Sequence, residues 1–424
     1  MFKKTVLLLI ISLTLIFSAC SKINQSDDLQ NAAENSDESS LTKFQRLMLE
    51  DYEYMWDILR ENYPSWGVIK RRGIDADKVY EIYKKQINTI ENEIEFFNLL
   101  NNTINSFYKI GHLNLLNYKF FKEYQFAFKD FRDDKRYESC NDILFNPEVE
   151  EAYERLRIAK DENKIDYEKY DLSLEEDKIN NIKYYDLVEN EVAYIEIKSF
   201  SNDINYDGLI LQNIYEKVKD YKHIVFDVSK NRGGSTLYWK NNIVKPIIGR
   251  NKLSYTCYLL LQKGKYSESF IDIINSIYNE LRPVKELPFF ENINKDDFDI
   301  TPYFFSGTDT IYSNADKKAV NGRIWVIISG DSYSATDEFA YFCKETGFAT
   351  LLGQTTKGDG FGLGTVLLKL PSSQYVINFK PAFILNHDGS NNVEFGTSPD
   401  YYIKGDTRNA NFINDCLKLI INNQ

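Results

Sequence analysis

The sequence predicts an α/β fold in which helices precede a core of alternating strands and helices. Between residues 43 and 107, apolar positions recur at helical spacing. From residue 192 onward, short apolar runs alternate with helical stretches, which is the pattern of an α/β core. Of the 424 residues, 43% are hydrophobic, which is enough for a sizeable buried interior.

The first twenty residues are typical of a secretory signal. Lys3 and Lys4 precede an apolar run over 5–17. A basic start, a short apolar stretch and small residues before a cleavage point make up such a signal. The run is shorter than the roughly 20 apolar residues that span a membrane. The polar residues 21–42 then predict a flexible tether.

Cys20 directly follows Phe17-Ser18-Ala19 and resembles the lipobox cysteine of bacterial lipoproteins, which carries a diacyl anchor. This resemblance implies that residues 1–20 are a lipoprotein signal peptide and that the protein is held outside the cytoplasmic membrane. The alternative is a plain signal peptide with a cysteine nearby.

Composition excludes two classes of ligand. The formal net charge is −12, and lysines are interleaved with acids along the chain, so no basic surface for nucleic acid is expected. The remaining cysteines are far apart and form no metal-binding motif; they are Cys140, Cys257, Cys343 and Cys416. We expect Cys343 and Cys416 to be small buried residues, and we expect no metal and no organic cofactor. Whether a disulfide forms stays open.

The chain divides into three further segments. Three helical patterns, near 43–64, 77–87 and 91–107, predict an N-terminal helical cap over 43–117. Residues 118–190 are rich in Tyr, Phe and charged residues, without clear strand alternation or the Gly-rich turn of a PDZ module. They are interpreted as an insert or helical subdomain. The core is assigned to 191–424, with strands predicted at 192–197, 223–228, 324–329, 349–353, 365–370 and 375–380.

Ser334 lies where a predicted buried strand turns into a helix. There, the free N–H groups of the first helical turn face the serine and suit a developing oxyanion. The simpler interpretation is a helix N-cap, with Asp337 three residues later. The loop Asn231-Arg232-Gly233-Gly234 favours the catalytic interpretation, since paired glycines after a strand expose unhindered N–H donors.

Taken together, seven segments resemble the C-terminal processing (tail-specific) serine peptidases and the related core of tricorn protease. In chain order they are NYPSWG (62–67), GHLNLL (111–116), VAYIEIKSF (192–200), IVFDVSKNRGGS (224–235), SYSATDEF (332–339), ATLLGQTTKG (349–358) and VEFGTSPDYYI (393–403). The resemblance covers 190–405 well and 43–117 more weakly. It implies the core fold shared with Clp protease and crotonase, and a serine peptidase with Ser334 as its nucleophile.

The resemblance leaves two kinds of base to consider. One branch of the family uses a lysine 25 residues after the serine, but position 334 + 25 = 359 is Asp359 here. Lys357 is a nearby alternative. The tricorn-like branch uses a histidine from the Gly-His segment, which is His112 here, and this residue is our choice. His387 is a second alternative, and His223 is interpreted as a surface residue.

The same branch places a glutamate near the end of the core, and its counterpart here is Glu394. Such a carboxylate holds the imidazole in its productive tautomer. Asp388 and Asp359 are the alternatives. The oxyanion hole is expected at the N–H of Ala335 with that of Gly233 or Gly234. The predicted functional residues are thus Ser334, His112, Glu394, Gly233, Gly234, Ala335 and Cys20.

Two positions depart from the family pattern: Ile110 replaces an aspartate before Gly-His, and Ser229 replaces an arginine. These changes bear on substrate positioning. The expected activity is hydrolysis of peptide bonds in an extended peptide or unfolded protein. The alternative is a catalytically inactive, lipid-anchored protein that binds peptides or different ligands on the same fold. The sequence does not fix the oligomeric state.

Overall fold

A computed structural model of the chain describes residues 41–129, 132–134, 137–161, 180–262, 264–267, 271, 281–360, 365–407 and 409–422. The predicted signal peptide, Cys20 and most of the tether lie outside these residues. The chain divides into two compact units, 1–46 and 47–424. The boundaries predicted within the larger unit stay predictions.

Four helices form the N-terminal region: α1 (Lys43–Asn62), α2 (Trp66–Arg71), α3 (Ala76–Gln86) and α4 (Glu93–Asn105). Asn92 caps α4 by accepting from the N–H groups of Ile94 and Glu95, as expected of an Asn N-cap. Trp56 of α1 is buried and stacks on Trp66 with ring centroids 5.9 Å apart. These contacts give the helices an aromatic core.

Residues 114–161 add the short strand β1 (Asn114–Leu115) and the helices α5 (Tyr118–Phe128), α6 (Glu138–Leu144) and α7 (Pro147–Asp161). Tyr153 of α7 donates to the carbonyl of Leu116 and accepts from the N–H of Val376. The tyrosine thus joins this helix to a three-stranded sheet of order β1-β11-β10, in which β10 is Val366–Lys369 and β11 is Val376–Phe379.

The central sheet has six strands in the order β13-β9-β8-β4-β3-β2. Its strands are β2 (Ile182–Val188), β3 (Val192–Ile197), β4 (His223–Asp227), β8 (Arg323–Ile328), β9 (Thr350–Gly353) and β13 (Tyr401–Tyr402). All neighbouring pairs are parallel except β2 and β3. Because β4 and β8 lie inside the sheet, they are almost continuously apolar and buried.

Helices on this sheet complete the α/β core: α8 (Ile204–Lys217), α11 (Ala335–Thr346) and α13 (Ala410–Asn422). Phe412 and Cys416 of α13 pack with Val225 and Trp325 of the sheet. Cys343 and Cys416 are fully buried, which confirms their predicted packing role, and the four described cysteines are free thiols.

A four-stranded sheet of order β12-β5-β7-β6 forms a further layer. Its strands are β5 (Lys252–Leu261), β6 (Arg282–Pro283), β7 (Tyr303–Tyr312) and β12 (Ala382–Ile384). The short helices α9 (Thr236–Trp239), α10 (Lys245–Ile248) and α12 (Asn392–Phe395) lie in the connections, and a π-helical turn over Lys240–Val244 joins the first two. The predicted α/β core with a preceding helical region is confirmed.

The secondary structure over 118–190 differs in part from the predicted helical subdomain. Its described residues as far as 161 are mainly helical, but β2 is a strand that the sequence pattern does not indicate. The reason is its position at the sheet edge: Tyr185 and Leu187 are 48% and 42% exposed, so apolar and polar residues do not alternate by burial. Within the described ranges, no helix has the length and apolar character needed to cross a membrane.

Candidate active site

Ser334 lies at the N-cap of α11, on the turn that follows strand β8. Its backbone has φ 57° and ψ −123°, a conformation that costs a non-glycine residue on the order of 1–3 kcal/mol. The turn is held by the Ser334 N–H, which donates to the carbonyl of Gly358 at 3.3 Å, and by the Glu338 N–H, which donates to the Ser334 carbonyl at 3.0 Å. The Ser334 side chain caps no helical N–H, so its hydroxyl is available for different contacts.

His112 points its imidazole at this hydroxyl. The distance from Nε2 of His112 to Oγ of Ser334 is 3.0 Å, within the range for a nucleophile and its base. The histidine ends a short 3₁₀ turn, Ile110–His112, in which Gly111 has φ 58°. The Lys380 N–H donates to the Gly111 carbonyl at 2.8 Å and so ties this turn to the end of β11.

Asp359 contacts the opposite side of the imidazole. Its Oδ2 lies 2.6 Å from Nδ1 of His112 and accepts the backbone N–H of His112 at 2.9 Å. A carboxylate at Nδ1 keeps the proton there, which leaves Nε2 free to accept from Ser334. Ser334, His112 and Asp359 have φ values of 57°, 55° and 61°, so all three have the positive φ that non-glycine residues seldom adopt.

Burial and charge set the protonation of the pair. The Asp359 side chain is 3% exposed and that of His112 is 17% exposed. Although burial opposes ionisation, the His112 and Lys380 charges and the hydrogen bonds from His112 and Tyr333 hold the pKa of Asp359 well below its usual range. Burial lowers the pKa of His112 despite the attraction of Asp359. At neutral pH the histidine is therefore an uncharged base beside an ionised carboxylate.

Two residues outside the predicted set complete the site. The Tyr333 hydroxyl donates to Oδ2 of Asp359 at 2.7 Å, and the Tyr333 ring stacks on the His112 ring with centroids 4.8 Å apart. The buried Lys380 donates from Nζ to the carbonyl of Asp359 and lies 3.4 Å from its Oδ1. In the sequence, the only indication that Tyr333 could belong to the site is its position directly before Ser334.

The glycine loop lies against the nucleophile turn. A Cβ on Gly233 would come within 2.7 Å of the Tyr333 carbonyl and 3.0 Å of the Ala335 nitrogen. The Gly233 N–H donates to Oδ1 of Asn231 at 2.9 Å. In contrast, the N–H groups of Gly234 and Ala335 make no hydrogen bond within the described part of the chain. Gly234 and Ala335 therefore provide the free donors, and Gly233 provides the close approach.

The structure corrects the assignment of Glu394. This carboxylate pairs with Arg71 of α2, at 2.6 Å from its Nη2, and Asp359 takes the place at His112. Arg71 also contacts Asp297 at 2.8 Å, so Glu394 belongs to an ion-pair group that links α2 to the core. Glu394 matches the family glutamate by its position in the chain. Its side chain, however, pairs with Arg71 instead of His112.

The remaining candidates for the base and its carboxylate have different partners. The Lys357 ammonium lies 5.0 Å from the centroid of the Tyr333 ring, and no hydrogen bond from it to Ser334 is found among the described residues. His387 is exposed and contacts Glu345 at 3.3 Å. Asp388 accepts from Ser390 and Asn292, so none of these three side chains replaces His112 or Asp359.

His223 does not lie at the surface, where the sequence predicted it. The residue is buried, because it begins an inner strand of the central sheet. Its Nδ1 accepts from the indole N–H of Trp325 at 3.1 Å. His223 is therefore a buried residue whose imidazole is hydrogen-bonded within the core.

The loop that carries Asp359 is anchored to α11. Asp337 is fully buried and accepts the Gly360 N–H at 3.0 Å. It also accepts from the Thr356 hydroxyl. Since Asp337 is one helical turn after Ser334, it links the nucleophile helix to the segment that supplies the carboxylate.

Comparisons with known proteins match two segments of the chain to known families. The profile of peptidase family S41 matches residues 191–403, and that of the tricorn protease C1 domain matches residues 48–105. No curated protein matches the chain. A solved structure from Parabacteroides merdae, named as a candidate peptidase, is 20% identical and covers 87% of this chain and 95% of its own, with a TM-score of 0.51.

Two further solved structures are more distant. A lipoprotein from Streptococcus agalactiae is 13% identical over 89% of this chain and 97% of its own, with a TM-score of 0.45. The photosystem II D1 C-terminal processing protease is 12% identical over 53% of this chain and 48% of its own, with a TM-score of 0.34.

Proposed function

Because the chain belongs to peptidase family S41, we propose that it is an active serine peptidase with Ser334 as nucleophile, His112 as base and Asp359 as the carboxylate that orients the base. One observation carries the proposal: the 3.0 Å approach of His112 Nε2 to Ser334 Oγ. If Ser334 served only as a helix N-cap, its hydroxyl would instead accept a hydrogen bond from a backbone N–H of α11.

The proposed reaction is acyl transfer to water. His112 takes the hydroxyl proton of Ser334 as Oγ attacks the carbonyl carbon of the scissile peptide bond. The resulting oxyanion accepts hydrogen bonds from the N–H groups of Gly234 and Ala335, and the imidazolium then protonates the leaving amine. Water, activated by the same imidazole, hydrolyses the Ser334 ester and restores the free enzyme.

We further propose that the substrate is an extended peptide or an unfolded protein segment. An extended chain can lie along the Gly-Gly loop and pair with backbone groups at the edge of the cleft. The loop supports this geometry, because Gly234 is exposed and its N–H makes no hydrogen bond within the described ranges.

An active-site probe tests the proposal without knowledge of the substrate. A fluorophosphonate should label the wild-type protein at Ser334, and Ser334→Ala should abolish labelling. His112→Ala should reduce the labelling rate by at least about 10³-fold, whereas Lys357→Ala should label within about twofold of wild type. Labelling that depends on Lys357 and not on His112 would contradict the assigned base. A folded wild-type protein that does not label would favour an inactive peptide-binding protein.

Secretion and lipid anchoring are a separate proposal. They are supported by three features of the N-terminal sequence: the basic start, the short apolar run and Cys20 after Phe17-Ser18-Ala19. In a bacterial host, the mature protein should begin at a diacylated Cys20, as shown by mass spectrometry of its N-terminal peptide. Cys20→Ser should release the protein from the membrane fraction, and an unchanged distribution would contradict the anchor.

A further inference from the structure

The carboxylate of Asp359 is shared among more donors than an orienting residue for His112 requires. Oδ2 contacts the imidazole Nδ1, the backbone N–H of His112 and the hydroxyl of Tyr333. Oδ1 lies 3.4 Å from the ammonium of Lys380. Both oxygens are therefore fixed, and the three residues that contact them come from different segments of the chain.

We propose that Tyr333 and Lys380 are positioning residues, which together hold the Asp359 carboxylate in the orientation that keeps His112 directed at Ser334. This inference rests on the proposed function. Neither residue needs to contact the substrate, since both act through Asp359 and the imidazole.

Tyr333 acts from the nucleophile turn. It forms a parallel bridge with Gly358, which places its hydroxyl beside the next residue, Asp359. Its ring lies nearly parallel to the His112 ring, at an interplanar angle of 19°, and so restricts tilting of the imidazole. The same side chain thus fixes the base through its ring and the carboxylate through its hydroxyl.

Lys380 acts from the opposite side, at the end of β11. Its backbone N–H holds the Gly111 carbonyl at 2.8 Å and its ammonium donates to the Asp359 carbonyl. A buried lysine charge is costly unless it is paired, and here the pairing partner is the carboxylate of Asp359. The residue therefore links the turn that carries His112 to the loop that carries Asp359.

These contacts also bear on the charge of His112. The charged groups that influence the imidazole are Asp359, which favours its protonation, and Lys380 and Lys357, which oppose it. Tyr333 contributes the hydroxyl that lies 3.0 Å from Nδ1. Removing the Tyr333 hydroxyl takes away a hydrogen bond that stabilises the negative charge of Asp359. Removing the Lys380 ammonium takes away a nearby positive charge. Both changes favour the imidazolium.

The test compares Tyr333→Phe and Lys380→Met with wild type by the rate of fluorophosphonate labelling between pH 4 and 9. Tyr333→Phe keeps the ring and removes only the hydroxyl. Each variant should lower the rate at its plateau by about tenfold, which corresponds to loss of one hydrogen bond to a charged group. Each should also move the acid-side midpoint upward, by on the order of half a pH unit.

Two matched controls separate positioning from general loss of stability. Tyr341→Phe removes a hydroxyl that donates to the Thr256 carbonyl at 3.4 Å. Lys84→Met removes a partly buried lysine paired with Glu53 at 2.7 Å. Both should leave the midpoint and the plateau rate within about twofold of wild type, because neither residue touches the site.

Each outcome decides a different point. A fall in rate without a shift of the midpoint would mean that the residue has only a structural role, and wild-type behaviour of both variants would overturn the proposal. If Lys380→Met does not fold, Tyr333→Phe decides alone. If only one variant shifts the midpoint, the second residue is not a positioning residue. Failure of the wild type itself to label at Ser334 concerns the proposed function instead.

Discussion

Asp359 holds His112 through two hydrogen bonds to the same oxygen, one from the backbone N–H at 2.9 Å and one from Nδ1 at 2.6 Å. The position of Asp359 is the one where a lysine would act in a Ser–Lys dyad. At this loop position the chain therefore has a carboxylate that is hydrogen-bonded to a histidine. A lysine charge is present at Lys380, where it pairs with Asp359 instead of activating the serine.

The first prediction separates the two carboxylates. Asp359→Asn should lower the rate of Ser334 labelling by about 10³–10⁴-fold, because an amide at Nδ1 permits the wrong imidazole tautomer. Glu394→Gln should label within about twofold of wild type, since Glu394 contacts Arg71 instead of the base.

Glu394→Gln serves as the matched control, because it makes the same carboxylate-to-amide change at a side chain that pairs with Arg71 instead of His112. It should cost about 1 kcal/mol of unfolding free energy, measured by denaturant, as expected for a partly exposed ion pair. If Glu394→Gln abolished labelling and Asp359→Asn did not, Glu394 would be restored as the orienting residue.

The second prediction concerns pH. A general base works in its neutral form, so activity falls as pH drops through the pKa of His112. Because burial lowers the pKa of His112 below its ordinary 6.5, the acid-side midpoint of labelling should lie below pH 6.5, and the rate should rise through that midpoint to a plateau at higher pH. Asp359, whose pKa is depressed, stays ionised across this range.

A titration of labelling rate against pH measures this midpoint directly. A rate that rises only above about pH 8 would indicate a lysine base, because a neutral amine requires alkaline conditions or a strongly depressed pKa. The same titration in Asp359→Asn should give a lower midpoint than wild type, since the attraction that favours the imidazolium has been removed.

The sequence was enough to single out Ser334 and His112, which the structure places 3.0 Å apart, because each lies in a short motif whose backbone context is local. Asp359 was only an alternative, since its role depends on the path of a loop in which it takes φ 61°. Glu394 matched by chain position, but the choice between His112 and Arg71 as its partner is made by tertiary packing. Tyr333 and Lys380 contribute through contacts across 26 and 21 positions to Asp359.

The same limit applied to the fold. Inner strands such as β4 and β8 were predicted well, because they are buried on both faces and form apolar runs. The edge strand β2 was missed, since its exposed residues blur the alternation. His223 looked like a surface residue beside Lys222, yet its strand lies between β3 and β8, and neighbours of this kind are not visible in the local sequence.

The third prediction concerns the anchor of the Asp359 loop. Asp337→Asn should weaken the bonds to the Gly360 N–H and the Thr356 hydroxyl, because an amide offers one acceptor oxygen instead of two. Labelling should fall by about 10-fold or more as the carboxylate is displaced, since small misplacements of reacting groups cost about 10²-fold.

Asp207→Asn is the control for this prediction. Asp207 is also fully buried and accepts from Tyr238 at 2.6 Å, but none of its hydrogen-bond partners belongs to the site. Both variants should lose about 1–3 kcal/mol of unfolding free energy, measured by denaturant, while only Asp337→Asn loses labelling. Equal loss of labelling in both would show that stability, and not the loop, is responsible.

The fourth prediction concerns Gly233, which has φ +100° and lies against the nucleophile turn. Gly233→Ala would place Cβ within 2.7 Å of the Tyr333 carbonyl and 2.9 Å of the Ser334 Cβ. Both neighbours belong to a strained turn that cannot move without displacing the nucleophile. Labelling should therefore fall by at least about 10²-fold, comparable to loss of an oxyanion-hole donor.

Gly347→Ala makes the same change at φ +66° with nothing within 4 Å of the new Cβ. It should cost about 1 kcal/mol for the left-handed backbone and leave labelling intact. Retained labelling in Gly233→Ala, measured beside this control, would mean that the Gly-Gly loop does not define the oxyanion site.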